Sequence, residues 1–151
     1  IPDFSEPSEN VFVRYLNFIE GFKKSVLMIA GSAAQKLMMQ LAKEQEILMN
    51  IAHMCIYTYI AESTVLRTQK RFEAQPENSE VQLEMMKTLI LDFGDRINKC
   101  GKDALYAFTE GDEQRMMLMG LRRFTKTESH NVKESRRKVA DALIQSEEYC
   151  F

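Results

Sequence analysis

Apolar residues recur every three to four positions through most of the chain, which is the spacing of α-helices with one buried side. No useful stretch alternates as a strand would. The pattern predicts five helices. Four of them cover about residues 8–37, 43–73, 79–109 and 131–148, and a short fourth helix in chain order follows the turn at 109–113. Ser8 is expected to cap the first helix and Asn131 the fifth, because short polar side chains accept hydrogen bonds from exposed helical amides.

Breaks between these helices are marked by the few glycines and prolines. Pro76 lies in AQPENSE (74–80) and cannot continue the second helix, and Asn78 or Ser79 is expected to cap the third. Gly111 in TEGDE (109–113) is expected to cap the end of the third helix. Asp112, which follows it, favours the start of the fourth.

Two glycines fall inside the first helix, where glycine costs about 1 kcal/mol relative to alanine. They are Gly21 and Gly31, and each indicates a bend or the close approach of a neighbouring helix. The second helix has an unusually broad set of apolar positions. Its expected apolar stripe is Leu48, Ile51, Cys55, Thr58, Glu62, Val65 and Phe72, widened by Ile47, Met54 and Ala61.

Short connections between long helices favour antiparallel neighbours. The sequence therefore predicts an all-α fold: an antiparallel up-down helical bundle of three long helices and a short fourth, plus a C-terminal fifth helix. A length of 151 residues suits one domain. We expect a linker over residues 1–7 and a single helical-bundle domain over 8–151. The polar opening IPDFSEPSEN suggests a fragment of a larger protein.

Charge and cysteine content narrow the expected partners and location. The net charge is −2 and the pI about 5.8, so the basic excess of a nucleic-acid-binding protein is missing and no nucleic acid is expected. Cys55, Cys100 and Cys150 match no disulfide framework or zinc motif, and reduced thiols indicate a cytoplasmic protein. No apolar run reaches the ~20 residues of a membrane span, and membrane contact is not expected.

The sequence gives little support for a catalytic site or a metal site. A di-iron bundle needs two Glu-x-x-His pairs, but only His53 and His130 occur, and Asn50 precedes His53 by three. Glu62 is the most notable carboxylate because it falls on the expected apolar stripe. A partner such as Arg96, or a place at the rim, is favoured there over catalysis. We predict no catalytic, cofactor-binding or metal-binding residue, and a structural role for His53.

Methionine is abundant, with ten residues that include three adjacent pairs. Adjacent helical residues point about 100° apart, so each pair widens the apolar side of its helix. The short fourth helix carries the densest set, followed by two arginines. We predict an interface there, formed by Met116, Met117, Met119, Arg122 and Arg123. Methionine suits such adaptable contacts.

Two stretches resemble a known family. LAKEQEILMNIAHMCIYTYIAESTVLRTQK (41–70) and RINKCGKDALYAFTEGDEQRMMLMGLRRFTK (96–126) are similar to the extra C-terminal helical domain of some bacterial acyl-CoA dehydrogenases. These are the larger-subunit enzymes similar to the very-long-chain mitochondrial branch. The resemblance extends over nearly the whole chain and contains no catalytic signature.

The resemblance implies that this chain is part of a longer parent enzyme in which another part carries out the chemistry. Family members oxidise acyl-CoA thioesters to trans-2-enoyl-CoA with FAD, and the flavin, the CoA groove and the catalytic carboxylate belong to the preceding catalytic body. It implies no cofactor in this fragment and FAD in the parent. The expected partners are the catalytic body of the same chain and further copies in a homo-oligomer. The alternative from the residues alone is a stand-alone helical adaptor that binds a protein partner through a Met-rich surface.

Overall fold

The computed structural model describes residues 10–149 and residue 151, and no strand occurs within them. The five helices are α1 (Val11–Leu37), α2 (Gln45–Ala74), α3 (Glu80–Phe108), α4 (Gly111–Phe124) and α5 (Val132–Ser146). Short 3-10 segments, Met38–Lys43 and Pro76–Asn78, join the first three. The expected linker over 1–7 and the expected cap Ser8 lie outside the described residues. Asn10 caps α1, accepting a hydrogen bond of 2.9 Å from the amide of Phe12.

The helices form the predicted bundle. α1, α2 and α3 pack on one another, α4 packs on α1 and α3, and α5 packs on α3. In the described part of the chain, no Cα atom of α2 lies within 8 Å of a Cα atom of α4, although both helices pack on α1 and α3. They therefore lie on opposite sides of the α1–α3 pair, so their outward surfaces point away from each other.

One continuous hydrophobic core joins the four bundle helices. Its fully buried large side chains include Tyr15, Ile19, Phe22, Ile29, Met54, Val65, Met86, Ile90, Ile97, Leu105 and Leu121. The short helix α4 contributes Leu121, which fits against Gly101 of α3. A Cβ atom at Gly101 would lie 2.7 Å from Leu121 Cδ1, so the missing side chain makes the room that α4 needs.

The two glycines of α1 have different surroundings. A Cβ atom on Gly21 would come within 2.3 Å of the carbonyl oxygen of Phe124, the last residue of α4. The expected close approach of a neighbour is therefore confirmed at Gly21. Among the described residues, no neighbouring atom lies within 4 Å of the equivalent position at Gly31, so that explanation fails there.

Helix ends agree with the sequence in part. Asn131 caps α5 as predicted, accepting from the amide of Glu134 at 3.3 Å. The prediction for Gly111 was wrong: Thr109 ends α3, and Gly111 is the first residue of α4. Its φ of 60° lies in the left-handed region that favours glycine. The glycine therefore serves the reversal into α4 rather than the end of α3.

Ser79 occupies the expected capping position before α3 but does not cap it. Its hydroxyl donates to the carbonyl of Gln75 at 2.6 Å. The turn between α2 and α3 is thus stabilised at the end of α2. Across the described residues, no helix is both long enough and apolar enough to pass through a lipid bilayer.

Candidate functional site

The outer side of α4 carries much of the predicted Met-rich interface. Met116 and Met119 are each 72% exposed, and Arg122 and Arg123 are also exposed. Met117 differs, because it is half-buried and packs against the core. We call the four exposed residues the α4 face. It combines flexible apolar side chains with two positive charges near the end of the helix.

A second and longer apolar surface lies on α2, where the sequence did not place it. The exposed positions between Leu48 and Leu66 contain no charged side chain, and they define what we call the α2 face. Its members are Leu48, Met49, Ala52, Cys55, Ile56, Tyr59, Ile60, Ser63 and Leu66. Tyr59 is the most open of the large side chains, at 72% exposure. The face lies on the opposite side of the bundle from the α4 face.

The expected buried stripe of α2 was wrong at two positions. Leu48 and Cys55 are exposed, although the sequence placed them in the core. The side chains that α2 buries are Ile47, Met54, Thr58, Ala61, Val65 and Thr68. Apolar residues therefore cover two sides of α2, of which only one faces the core of this chain.

Glu62 lies at the rim of α2 and bonds to α1. Its carboxylate is 2.7 Å from the ammonium group of Lys23, and this hydrogen bond raises the pKa of Lys23. The predicted partner was wrong: Arg96 bonds to Asp92 at 2.8 Å instead. Both side chains of the Glu62 pair are about one-third exposed, so the pair links two helices at the surface.

His53 is half-buried, with its ring 6.2 Å from the ring of Tyr57. The described residues contain no group of three or more potential His, Cys, Asp or Glu metal ligands. Cys55 and Cys100 are free thiols, and burial raises the pKa of Cys100. Cys150 lies outside the described residues.

The fold brings together a cluster that the sequence did not reveal, consisting of Glu84, His130 and Ser135. Ser135 Oγ lies 2.6 Å from His130 Nε2 and donates to the carboxylate of Glu84. The same carboxylate is 3.4 Å from His130 Nε2. Glu84 and Ser135 are 51 residues apart in the sequence, so no local sequence pattern could have predicted that they meet.

This Glu–His–Ser arrangement is structural rather than catalytic. In a nucleophilic triad the acid bonds to the histidine nitrogen that faces away from the serine, whereas Glu84 and Ser135 meet the same nitrogen here. Ser135 is also only 1% exposed. Burial alone would raise the pKa of Glu84, but hydrogen bonds from Ser135 and Lys87 outweigh it and lower the pKa. The cluster ties α5 to α3.

A second buried contact fixes the segment after α4. The hydroxyl of Tyr15 donates to Glu128 at 2.6 Å, and Arg14 Nε lies 3.0 Å from the same carboxylate. Burial and this hydrogen bond both raise the pKa of Tyr15. The contact holds the connection to α5 against the start of α1.

Comparisons with known proteins place the bundle in a family. The family model described as the acyl-CoA dehydrogenase C-terminal domain matches residues 21–123. The chain belongs to that family. A probable acyl-CoA dehydrogenase from Bacillus subtilis (strain 168) is 34% identical over 145 residues, or 95% of this chain and 24% of the relative.

A crystal structure of an acyl-CoA dehydrogenase complexed with FAD, from Bacillus anthracis, shares the fold closely. Its TM-score is 0.91 at 33% identity, over 97% of this chain and 25% of that chain. The acyl-CoA dehydrogenase C-terminal domain thus spans about a quarter of the length of both relatives. The α2 and α4 faces are surfaces of a domain whose relatives carry it within a much longer chain.

The sequence has no glycine-rich loop of the kind that holds the pyrophosphate of a dinucleotide. A dinucleotide is held where glycines let the backbone approach the pyrophosphate. The six glycines here are scattered singly. Gly21, Gly94 and Gly101 are used for contacts between elements of the bundle, each with a neighbouring atom within 3.1 Å of the position of an added Cβ. None of them forms a phosphate-binding loop.

Proposed function

We propose that the chain is the non-catalytic C-terminal accessory domain of a FAD-dependent acyl-CoA dehydrogenase. In this role it packs on the catalytic body of its own parent chain and contributes to subunit assembly. The observation that carries the proposal is the α2 face, which is apolar, exposed and free of charge from Leu48 to Leu66. Extended apolar patches of this kind mark contact surfaces in soluble proteins.

The two faces suit two different contacts. The interior of a permanent interface is depleted in charged residues, which matches the α2 face, and we assign this face to the catalytic body. Methionine and arginine are enriched at interfaces generally, which matches the α4 face. Because the faces point in opposite directions, we assign the α4 face to a second subunit in a homo-oligomer.

The remainder of the parent chain supplies the chemistry in this proposal. FAD and the acyl-CoA substrate bind there. The parent oxidises acyl-CoA thioesters in fatty acid β-oxidation. The free thiols of Cys55 and Cys100 suit the reducing cytoplasm, where we place the enzyme. A stand-alone adaptor has no support, because both relatives carry the matching segment within a longer dehydrogenase.

The test of the α2 face is a binding measurement between two separately produced parts of the parent. The catalytic body is titrated with this chain by isothermal calorimetry. Ile56→Ser together with Tyr59→Ser removes two large side chains from the face. Fully burying one such side chain is worth about 1.5–3 kcal/mol, so we expect binding to weaken about a hundredfold or more.

A matched control is Ile144→Ser on α5, because Ile144 is 72% exposed and belongs to neither face. It should leave the affinity unchanged. All these variants should melt within a degree or two of the wild-type chain, since substitutions of exposed residues usually change stability by less than about 0.5 kcal/mol. Equal affinity of the wild type and the Ile56/Tyr59 variant would refute the assignment of the α2 face.

The test of the α4 face uses Met116→Ala with Met119→Ala in the full-length parent. Mass photometry over a dilution series should show dissociation of the oligomer at higher concentration than for the wild type. The melting temperature of the isolated bundle carrying the same two substitutions should stay nearly unchanged, because both side chains are exposed. A large fall in melting temperature would instead place these residues in the core and contradict the proposal.

A further inference from the structure

A groove of about 620 Å³ lies between α2, α3 and α5. No residue of the α2 face or the α4 face lines it. Its volume falls within the range of small-molecule sites. The floor is apolar, formed by Met85, Leu89 and Phe93 of α3 with Val139 and Leu143 of α5. The groove is therefore a separate feature that the packing proposal does not use.

Three arginines bring positive charge to the groove, two from α2 and one from α5. Arg67 and Arg71 stand one turn apart on α2, so both point to the same side of the helix. Arg136 lines the groove from α5. None of the three forms an ion pair with a described residue. Asp92, the one acidic residue in the lining, is bonded to Arg96 at 2.8 Å, so the arginine charge is not balanced within the groove.

Three residues that line the groove also contain buried polar atoms without hydrogen-bond partners. Arg71 Nε, Gln82 Oε1 and Thr88 Oγ1 are buried and find no hydrogen-bond partner among the described residues. All three residues line the groove. Buried polar atoms in folded proteins nearly always have a partner. These residues leave hydrogen-bonding capacity unused in the wall of the groove, which favours a polar group of a ligand there.

We propose that this groove binds a single-chain amphiphile with an anionic head, a carboxylate or a phosphate. The head pairs with Arg67, Arg71 and Arg136, because the guanidinium fork matches both kinds of anion. The tail lies along the apolar floor, where Met85 adapts its shape to the chain. The site belongs to the accessory domain itself and is independent of the packing surfaces.

The experiment uses the full-length parent enzyme and a hexadecanoate analogue with a photoactivatable diazirine on its tail. After irradiation, labelled peptides are mapped by mass spectrometry, which separates this groove from the substrate site of the catalytic body. Labels are expected on peptides of α3 and α5 that contain Met85, Leu89 or Leu143. Absence of label from both helices would overturn the proposal.

Competition identifies the head group. Hexadecanoate and hexadecyl phosphate should both suppress labelling of the groove, and the one effective at lower concentration names the preferred anion. The cationic amphiphile hexadecyltrimethylammonium should compete at least tenfold less well. Equal competition by the cation would show that the groove is merely an apolar surface, and it would refute the role of the arginines.

Pairs of variants at neighbouring positions test whether the arginines of the groove bind the anionic head. Arg71→Met and Arg136→Met should each reduce labelling about tenfold. Their chain neighbours Lys70 and Arg137 are exposed and do not line the groove, so Lys70→Met and Arg137→Met should leave labelling unchanged. Thermal melting checks that each variant is folded. If Arg71→Met does not fold, Arg136→Met on the outer helix α5 still decides the question, and equal labelling of it and Arg137→Met refutes the proposal.

Discussion

Alanine at Gly21 and at Gly31 is expected to change the stability of the bundle in opposite directions. Both glycines lie within α1, and alanine favours a helix interior over glycine by about 1 kcal/mol. No atom of the described part of the chain lies within 4 Å of a methyl group added at Gly31, so the gain there is retained in full. Gly31→Ala should raise the melting temperature by about 3 °C, given roughly 2–4 °C per kcal/mol at this size.

At Gly21 the same methyl group would come within 2.3 Å of the carbonyl oxygen of Phe124. This oxygen belongs to the backbone at the end of α4, so it cannot rotate away as a side chain would. Overpacking of this kind costs about 1–3 kcal/mol, and the rigid neighbour favours the upper end. After subtracting the propensity gain of about 1 kcal/mol, Gly21→Ala should destabilise by about 2 kcal/mol. The expected fall in melting temperature is about 6 °C.

The assay is thermal unfolding of the two variants and the wild type, followed by circular dichroism. Urea unfolding gives the free energies independently, and an unchanged slope with denaturant confirms that the variants bury the same surface. A rise in stability for both variants would show that α4 does not approach α1 at Gly21 as described, whereas a similar fall for both would contradict the open space at Gly31. The reasoning about why this helix contains glycine would then be wrong.

Three further predictions concern α5, α3 and α4. Asn131→Ala removes the N-cap of α5 and should cost about 1 kcal/mol, measured by urea unfolding. Leu121→Ala leaves a cavity in the core beneath α4 and should cost about 2–5 kcal/mol, measured in the same way. The depressed pKa of Glu84 means that its contribution to stability is present above the ordinary glutamate pKa, about 4.3, and is lost as the pH falls through the lower folded value. Glu84→Gln should therefore weaken the acid dependence of unfolding below that pH, and an unaltered dependence would contradict the role of the cluster.

Helical periodicity was sufficient for the bundle because α1, α2 and α3 each bury a stripe with residues at every third or fourth position. The order and number of helices, the Asn131 cap and the close approach at Gly21 all followed from local chemistry. Gly111 was misassigned because glycine suits a left-handed backbone at either side of a turn, and composition does not say which helix uses it. The partners of Glu62 and Glu84 depended on distant elements, and residue types alone gave several candidates.

The α2 face could not be predicted from the sequence. At 100° per residue, Leu48 and Cys55 fit an apolar stripe as regularly as Met54 and Ala61 do. Periodicity finds an apolar side of a helix, but a helix apolar on two sides gives two equally regular stripes. Only the packing of α1 and α3 decides which of them this chain buries. We propose that the other stripe contacts the catalytic body of the parent, so the main argument for that contact comes from the helix whose pattern first suggested an ordinary core.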